Sequence, residues 1–150
     1  MTVFINGRDL TVEQVIRVCR DGEEVKLTDE AIVNVKKARA YIERKLAEKA
    51  VIYGLTTGFG KFSNVMISSE ETEELQRNLI MSHTCAMGPA YPARDVRAAM
   101  LLRCNALARG NSGIRLETLQ TLIDMLNAGV HPVIPQKGSL GASGDLAPLS

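Results

Sequence analysis

The sequence predicts a mainly α-helical fold with a small N-terminal β-hairpin. Three observations carry that reading. Apolar residues recur at helical spacing over long segments, as at Ile32, Val35, Ala38, Ile42 and Leu46. Capping residues stand just ahead of such segments, Thr11 with Gln14 and Ser68 with Glu71. The strand–helix alternation that a parallel sheet requires is absent.

Residues 2–5 and 8–10 flank Asn6-Gly7, a pair that favours a tight turn with positive φ, so they read as the hairpin. Thr11 and Gln14 form a capping box for a first helix, whose stripe is Val12, Val15, Ile16 and Cys19 and which Asp21-Gly22 ends. Thr28 caps a second helix to about residue 49, with Ile32 to Leu46 as its inward face. Arg39 with Glu43 and Arg44 with Glu48 are charged neighbours one turn apart, the mark of a solvated face. Residues 50–67 then lose helical periodicity, and Gly54, Gly58 and Gly60 make them a loop. A loop of that length inside a compact domain is functional or disordered.

Ser68 and Glu71 open a third helix, with Glu70, Glu71, Glu73 and Glu74 near its positive end. Leu75, Leu79 and His83 share one face of it. Pro89 and Pro92 break the chain. Residues 93–109 form a fourth helix on Val96, Met100, Cys104 and Leu107, and residues 116–127 a fifth on Leu119, Leu122, Ile123 and Leu126, stopped by Gly129. Pro132 and Pro135 lead into Gly138-Ser139-Leu140-Gly141-Ala142-Ser143-Gly144-Asp145. Asp145 suits the cap of a last helix near Leu146, whose start Pro148 restricts.

The 150 residues are 45% hydrophobic with a net charge of +1. That suffices for one domain with a real core and gives no pull toward nucleic acid or an anionic membrane. No apolar run spans a bilayer, and the N-terminus lacks the basic-then-apolar order of a signal peptide. Cys19, Cys85 and Cys104 are odd in number and not closely paired, which points to reduced thiols in the cytoplasm. His83 and His131 make no metal-ligand pattern with them. Cys85 lies two residues from His83, yet nothing else marks an acyl-transfer site, so it reads as a packing cysteine. His131, before Pro132, reads as structural.

Ala142-Ser143-Gly144 has the residue types for self-cyclisation. The Gly144 amide nitrogen attacks the Ala142 carbonyl carbon, and Ser143 supplies its side chain. Loss of two waters leaves 4-methylidene-imidazole-5-one (MIO), whose exocyclic carbon is an electrophile that ordinary side chains lack. An isolated Ala-Ser-Gly is most simply a flexible loop.

Three blocks alter that reading. Residues 138–150, Tyr53-Gly54-Leu55-Thr56-Thr57-Gly58-Phe59-Gly60, and Asn105-Ala106-Leu107-Ala108-Arg109-Gly110-Asn111-Ser112-Gly113-Ile114-Arg115 resemble, in order, blocks of the MIO-dependent aromatic amino acid ammonia-lyases and aminomutases. The resemblance covers most of the chain and is weakest over about the first twenty-five residues. It implies the helical N-terminal domain of such a lyase over residues 1–150, holding the Tyr53 loop and the MIO loop (138–145), with the rest of a longer enzyme absent. It also implies MIO from Ala142, Ser143 and Gly144 with no external cofactor, Tyr53 as the base that takes the β-proton, and a homotetramer whose active site draws on several subunits. The electrophilic carbon would bond the substrate amine, with attack by the imidazole ring as the alternative. A phenol ionises only near about pH 10, so a site using one as base must favour phenolate.

Ser82-His83 stands where family members read the substrate side chain. Phenylalanine lyases usually carry Phe-Leu there, tyrosine lyases His-Leu, and this pair resembles the members that convert L-histidine to trans-urocanate and ammonia. His83 is the expected imidazole contact, with Ser82 beside it. Gly60, Asn105, Arg115 and Asp145 are expected loop and scaffold residues. The alternatives are a phenylalanine or tyrosine lyase or an aminomutase of the same family, or a non-catalytic chain that binds lyase subunits. The 150 residues alone are expected to lack lyase activity, to expose apolar faces and to self-associate.

Overall fold

The computed structural model describes residues 1–53, 55–57, 71–139 and 147. Its elements are β1 (Thr2–Ile5), α1 (Val12–Asp21), β2 (Glu24–Leu27), α2 (Asp29–Ala47), α3 (Glu71–His83), β3 (Met87–Ala90), α4 (Ala93–Ala108), α5 (Leu116–Asn127) and β4 (Pro135–Lys137). Helix dominates, as the sequence predicts. The chain divides into two compact units, Met1–Glu43 with Tyr91–Val133, and Arg44–Ala90 with Ile134–Ser150.

In the first unit, β1 is not half of a hairpin. It pairs in parallel with β2, from Thr2 opposite Glu24 to Ile5 opposite Leu27, with α1 as the crossover. Residues 8–10 form no strand. The hairpin expectation fails because Asn6-Gly7 serves other contacts. Asn6 Oδ1 accepts the backbone N–H groups of Arg8 and Asp9 at 2.9 and 3.2 Å, a local turn that carries the chain to the Thr11 cap. Gly7 takes φ +84°, and a Cβ on it would lie 2.7 Å from the Arg109 nitrogen. The expectation of no parallel pairing fails too, because a single crossover leaves no alternation along the chain to read.

A two-stranded pair is marginal by itself, and helices cover this one. α5 packs on β2, α4 on β1 and α5, and α1 on α4. Val3, Ile5, Val18, Val25, Leu27, Val96, Leu101, Cys104, Leu119, Ile123 and Leu126 are buried between them. Burial of each large aliphatic among these contributes roughly 1.5–3 kcal/mol. Two polar side chains close the layers. Asn127 Oδ1 accepts from Val25 N–H at 2.8 Å and its Nδ2 donates to Val25 O at 2.9 Å, acting as a neighbouring strand for β2. Arg97 donates to Leu126 O and Val18 O, both at 2.9 Å, capturing carbonyls near the C-terminal ends of α5 and α1.

Several helix ends follow the sequence signals, while the Ser68 and Asp145 caps lie outside the described residues. The Thr11–Gln14 capping box forms, Thr28 Oγ1 accepts from Ala31 N–H at 3.1 Å, and Gly22 and Gly129 adopt positive φ at the ends of α1 and α5. Arg39 pairs with Glu43 at 2.8 Å, and Arg44 approaches Glu48 at 4.0 Å. Two inward faces differ from expectation. α1 buries Val18 and leaves Val12 and Ile16 exposed. α2 buries Ala31 and Val35, but Leu46 is exposed. Gly110 and Gly113 press on α2 only as far as Asn34 and Ile42, where a Cβ would meet Asn34 C at 2.7 Å and Ile42 Cγ1 at 2.5 Å.

The second unit holds the last turn of α2, then α3 and the antiparallel pair β3–β4, which the sequence reading did not foresee. Among the described residues it buries Thr57, Ile134 and Ala147.

Candidate active site

The Tyr53 segment starts from a firm helix end. Ala50 N–H donates to Lys45 O and Lys49 N–H to Leu46 O, both at 3.0 Å, with Lys49 at φ +53°. This is the Schellman arrangement, with lysine in the place glycine usually takes. A turn follows, in which Leu55 and Thr56 N–H both donate to Ile52 O, at 3.1 and 2.9 Å. The Thr56 hydroxyl accepts from Ile52 N–H at 2.8 Å and donates to Ala50 O at 3.0 Å. Tyr53 rides on this turn, 62% exposed, while Thr57 is buried.

Helix α3 sorts its side chains as its periodicity predicts. Among residues 73–83 only Leu75, Leu79 and His83 are half-buried, and the others are exposed. At its end, Ser82 Oγ donates to Leu79 O at 2.8 Å, and His83 Nδ1 lies 2.8 Å from the same oxygen and 3.0 Å from Ser82 Oγ. Cys85, expected to pack, is exposed. It lies in the short connection between α3 and β3.

β3 and β4 tie this region to the stem of the Ala-Ser-Gly loop. Met87 pairs with Lys137 and Ala90 with Pro135, with an irregularity between them. Gln136 Nε2 donates to Ala90 O at 3.0 Å. Gly138 has φ +133°, and a Cβ there would lie 2.8 Å from Ala86 Cα. Glycine is required at that contact, because both the dihedral and the space exclude a side chain. The loop stem therefore lies against backbone three residues past His83. Sequence reasoning missed this clamp, since Met-Gly-Pro-Ala and Pro-Gln-Lys carry no strand pattern.

Gly60, Ala142, Ser143, Gly144 and Asp145 lie outside the described residues. Asn105 and Arg115 belong to the first unit. Asn105 Oδ1 accepts from Gly7 N–H at 2.9 Å, a scaffold contact, and exposed Arg115 precedes α5 without a side-chain capping bond. Cys19, Cys85 and Cys104 are free thiols. Among the described residues, no group of three or more His, Cys, Asp or Glu could hold a metal ion, and no helix is long and apolar enough to cross a membrane.

Residues 10–150 match the family model for the aromatic amino acid lyases. The chain is 59% identical over 148 residues to the histidine ammonia-lyase of Caldanaerobacter subterraneus subsp. tengcongensis, covering 99% of this chain and 29% of that protein. Among solved structures it resembles the ergothioneine-degrading ergothionase of Treponema denticola, with a TM-score of 0.91 and 36% identity over 99% of this chain and 30% of that one. It also resembles the phenylalanine aminomutase of Pantoea agglomerans, with a TM-score of 0.87 and 38% identity over 99% of this chain and 28% of that one. The chain thus spans about 29% of the length of the curated relative. With the family model matching nearly its whole length, the chain belongs to the aromatic amino acid lyase family.

Proposed function

We propose that the chain is part of a histidine ammonia-lyase, which removes ammonia from L-histidine without oxidation to give trans-urocanate. The observation that carries this is the joint presence of Tyr53, Ser82-His83 and Ala142-Ser143-Gly144 in a chain 59% identical to a histidine ammonia-lyase. The ring of phenylalanine aminomutase chemistry is the competing reading, favoured by the likeness to that enzyme; Ser82-His83 weighs against it.

Ala142, Ser143 and Gly144 hold the atoms for MIO, and the fixed Gly138 stem suits a loop that must bend tightly. Once formed, MIO supplies an electrophilic carbon that makes the amino group a better leaving group. Tyr53 takes the β-proton through its phenol oxygen. His83 orients the substrate imidazole, with Ser82 steadying it. Gly60, Asn105, Arg115 and Asp145 support the loops. The active form is a cytoplasmic homotetramer containing sequence beyond these 150 residues, which alone are inactive.

The test is turnover of L-histidine by the whole enzyme and its Tyr53→Phe variant, followed as urocanate formed. We expect loss of nearly all turnover in the variant with MIO still present. Turnover equal to the parent's removes Tyr53 from the mechanism.

A further inference from the structure

The end of α3 brings three polar atoms together. His83 Nδ1 lies 2.8 Å from Leu79 O and 3.0 Å from Ser82 Oγ, and Ser82 Oγ lies 2.8 Å from Leu79 O. A carbonyl oxygen can only accept, and the serine hydroxyl has one proton to give. If Nδ1 were unprotonated, its lone pair would face that of Leu79 O at 2.8 Å. Turning the serine proton to Nδ1 would leave that repulsion in place. With the proton on Nδ1 there is no conflict. Nδ1–H donates to Leu79 O and reaches the serine oxygen, while the serine donates to the same carbonyl.

We propose that the last turn of α3 fixes neutral His83 as the Nδ1–H tautomer, making Nε2 an acceptor only and the site selective for a ring that donates N–H. This rests on the reading of His83 as the residue that meets the substrate ring. It adds a direction to that contact. Leu79, through its backbone carbonyl, and Ser82 become positioning groups that act through His83. An imidazole presents an N–H to Nε2 and keeps its second nitrogen as an acceptor. A phenyl ring offers no donor and leaves the Nε2 lone pair desolvated and unmatched, the kind of mismatch by which a polar site rejects an analogue.

The test is a long-range ¹H–¹⁵N correlation spectrum of the active enzyme labelled with ¹⁵N-histidine, at a pH where the ring is neutral. Signals absent from His83→Gln identify His83. The expected pattern is protonated Nδ1 and bare Nε2, with a smaller Nδ1–H fraction in Ser82→Ala. A predominant Nε2–H pattern in the parent overturns the proposal. Selectivity separates this from the underlying reading. His83→Leu should lower the ratio of kcat/KM for L-histidine over L-phenylalanine by at least about tenfold. His83→Gln, which keeps an acceptor oxygen, should lower it less. An unchanged ratio in His83→Leu defeats the substrate contact, whereas the tautomer stands or falls on the spectrum.

Discussion

Thr56 closes the turn that carries Tyr53, the proposed base. Its hydroxyl bonds Ile52 N–H and Ala50 O, closing the turn on which Tyr53 sits. Thr56→Val keeps the shape and removes both bonds. Small misplacements of a reacting group cost up to about 100-fold in rate, so this variant should lose kcat in that range with KM little changed, and Thr56→Ser should restore it. A folded Thr56→Val enzyme with the parent's kcat would deny the role. Cys104 makes a prediction about pH. Burial pushes its thiol up from 9.0 to about 11. The folded state then holds a proton that the unfolded state releases, so stability present below about pH 9 declines as pH rises through about 11. Urea midpoints across that window should fall more steeply for the parent than for Cys104→Ala. Parallel falls would acquit the thiol.

At the scale of elements, Asn127 is the test case. Its amide makes two bonds to Val25, so Asn127→Ala strands a backbone N–H and C=O of β2. Each unmet buried group costs about 1–3 kcal/mol. For the two groups a loss of about 2–6 kcal/mol in unfolding free energy is expected, and a change within about 0.5 kcal/mol would show that water replaces the amide. The helices were legible because their signals are local: Thr11 and Thr28 cap where expected, Gly129 ends α5, and Leu75, Leu79 and His83 form the half-buried row of α3. The strand pairs were not. β1 finds β2 across a helix, and β3 finds β4 across two, so neither partner stands near in sequence. The same distance hid Asn127 and Arg97, polar residues whose meaning depends on carbonyls far along the chain. Of the candidate site, the sequence offers the residues and their order as expectations, with Gly60 and residues 142–145 outside the described residues. The Thr56 bracket, the Leu79 carbonyl and the Gly138 clamp come from backbone geometry that residue types do not announce.

The whole molecule is uneven. Among the described residues the first unit holds nearly all of the core, while the unit carrying Tyr53 and His83 leaves Ile80 and Met81 on α3 exposed. The chain spans about 29% of the length of the curated relative it matches. The packed core thus lies in the first unit, and the proposed site residues Tyr53, Ser82 and His83 belong to the second. The most direct test of this account is the mass of the peptide bearing Ala142-Ser143-Gly144, taken from enzyme that converts L-histidine to urocanate. The account predicts a deficit of two water molecules confined to those residues, and an unmodified triplet in enzyme that still turns over L-histidine would contradict it.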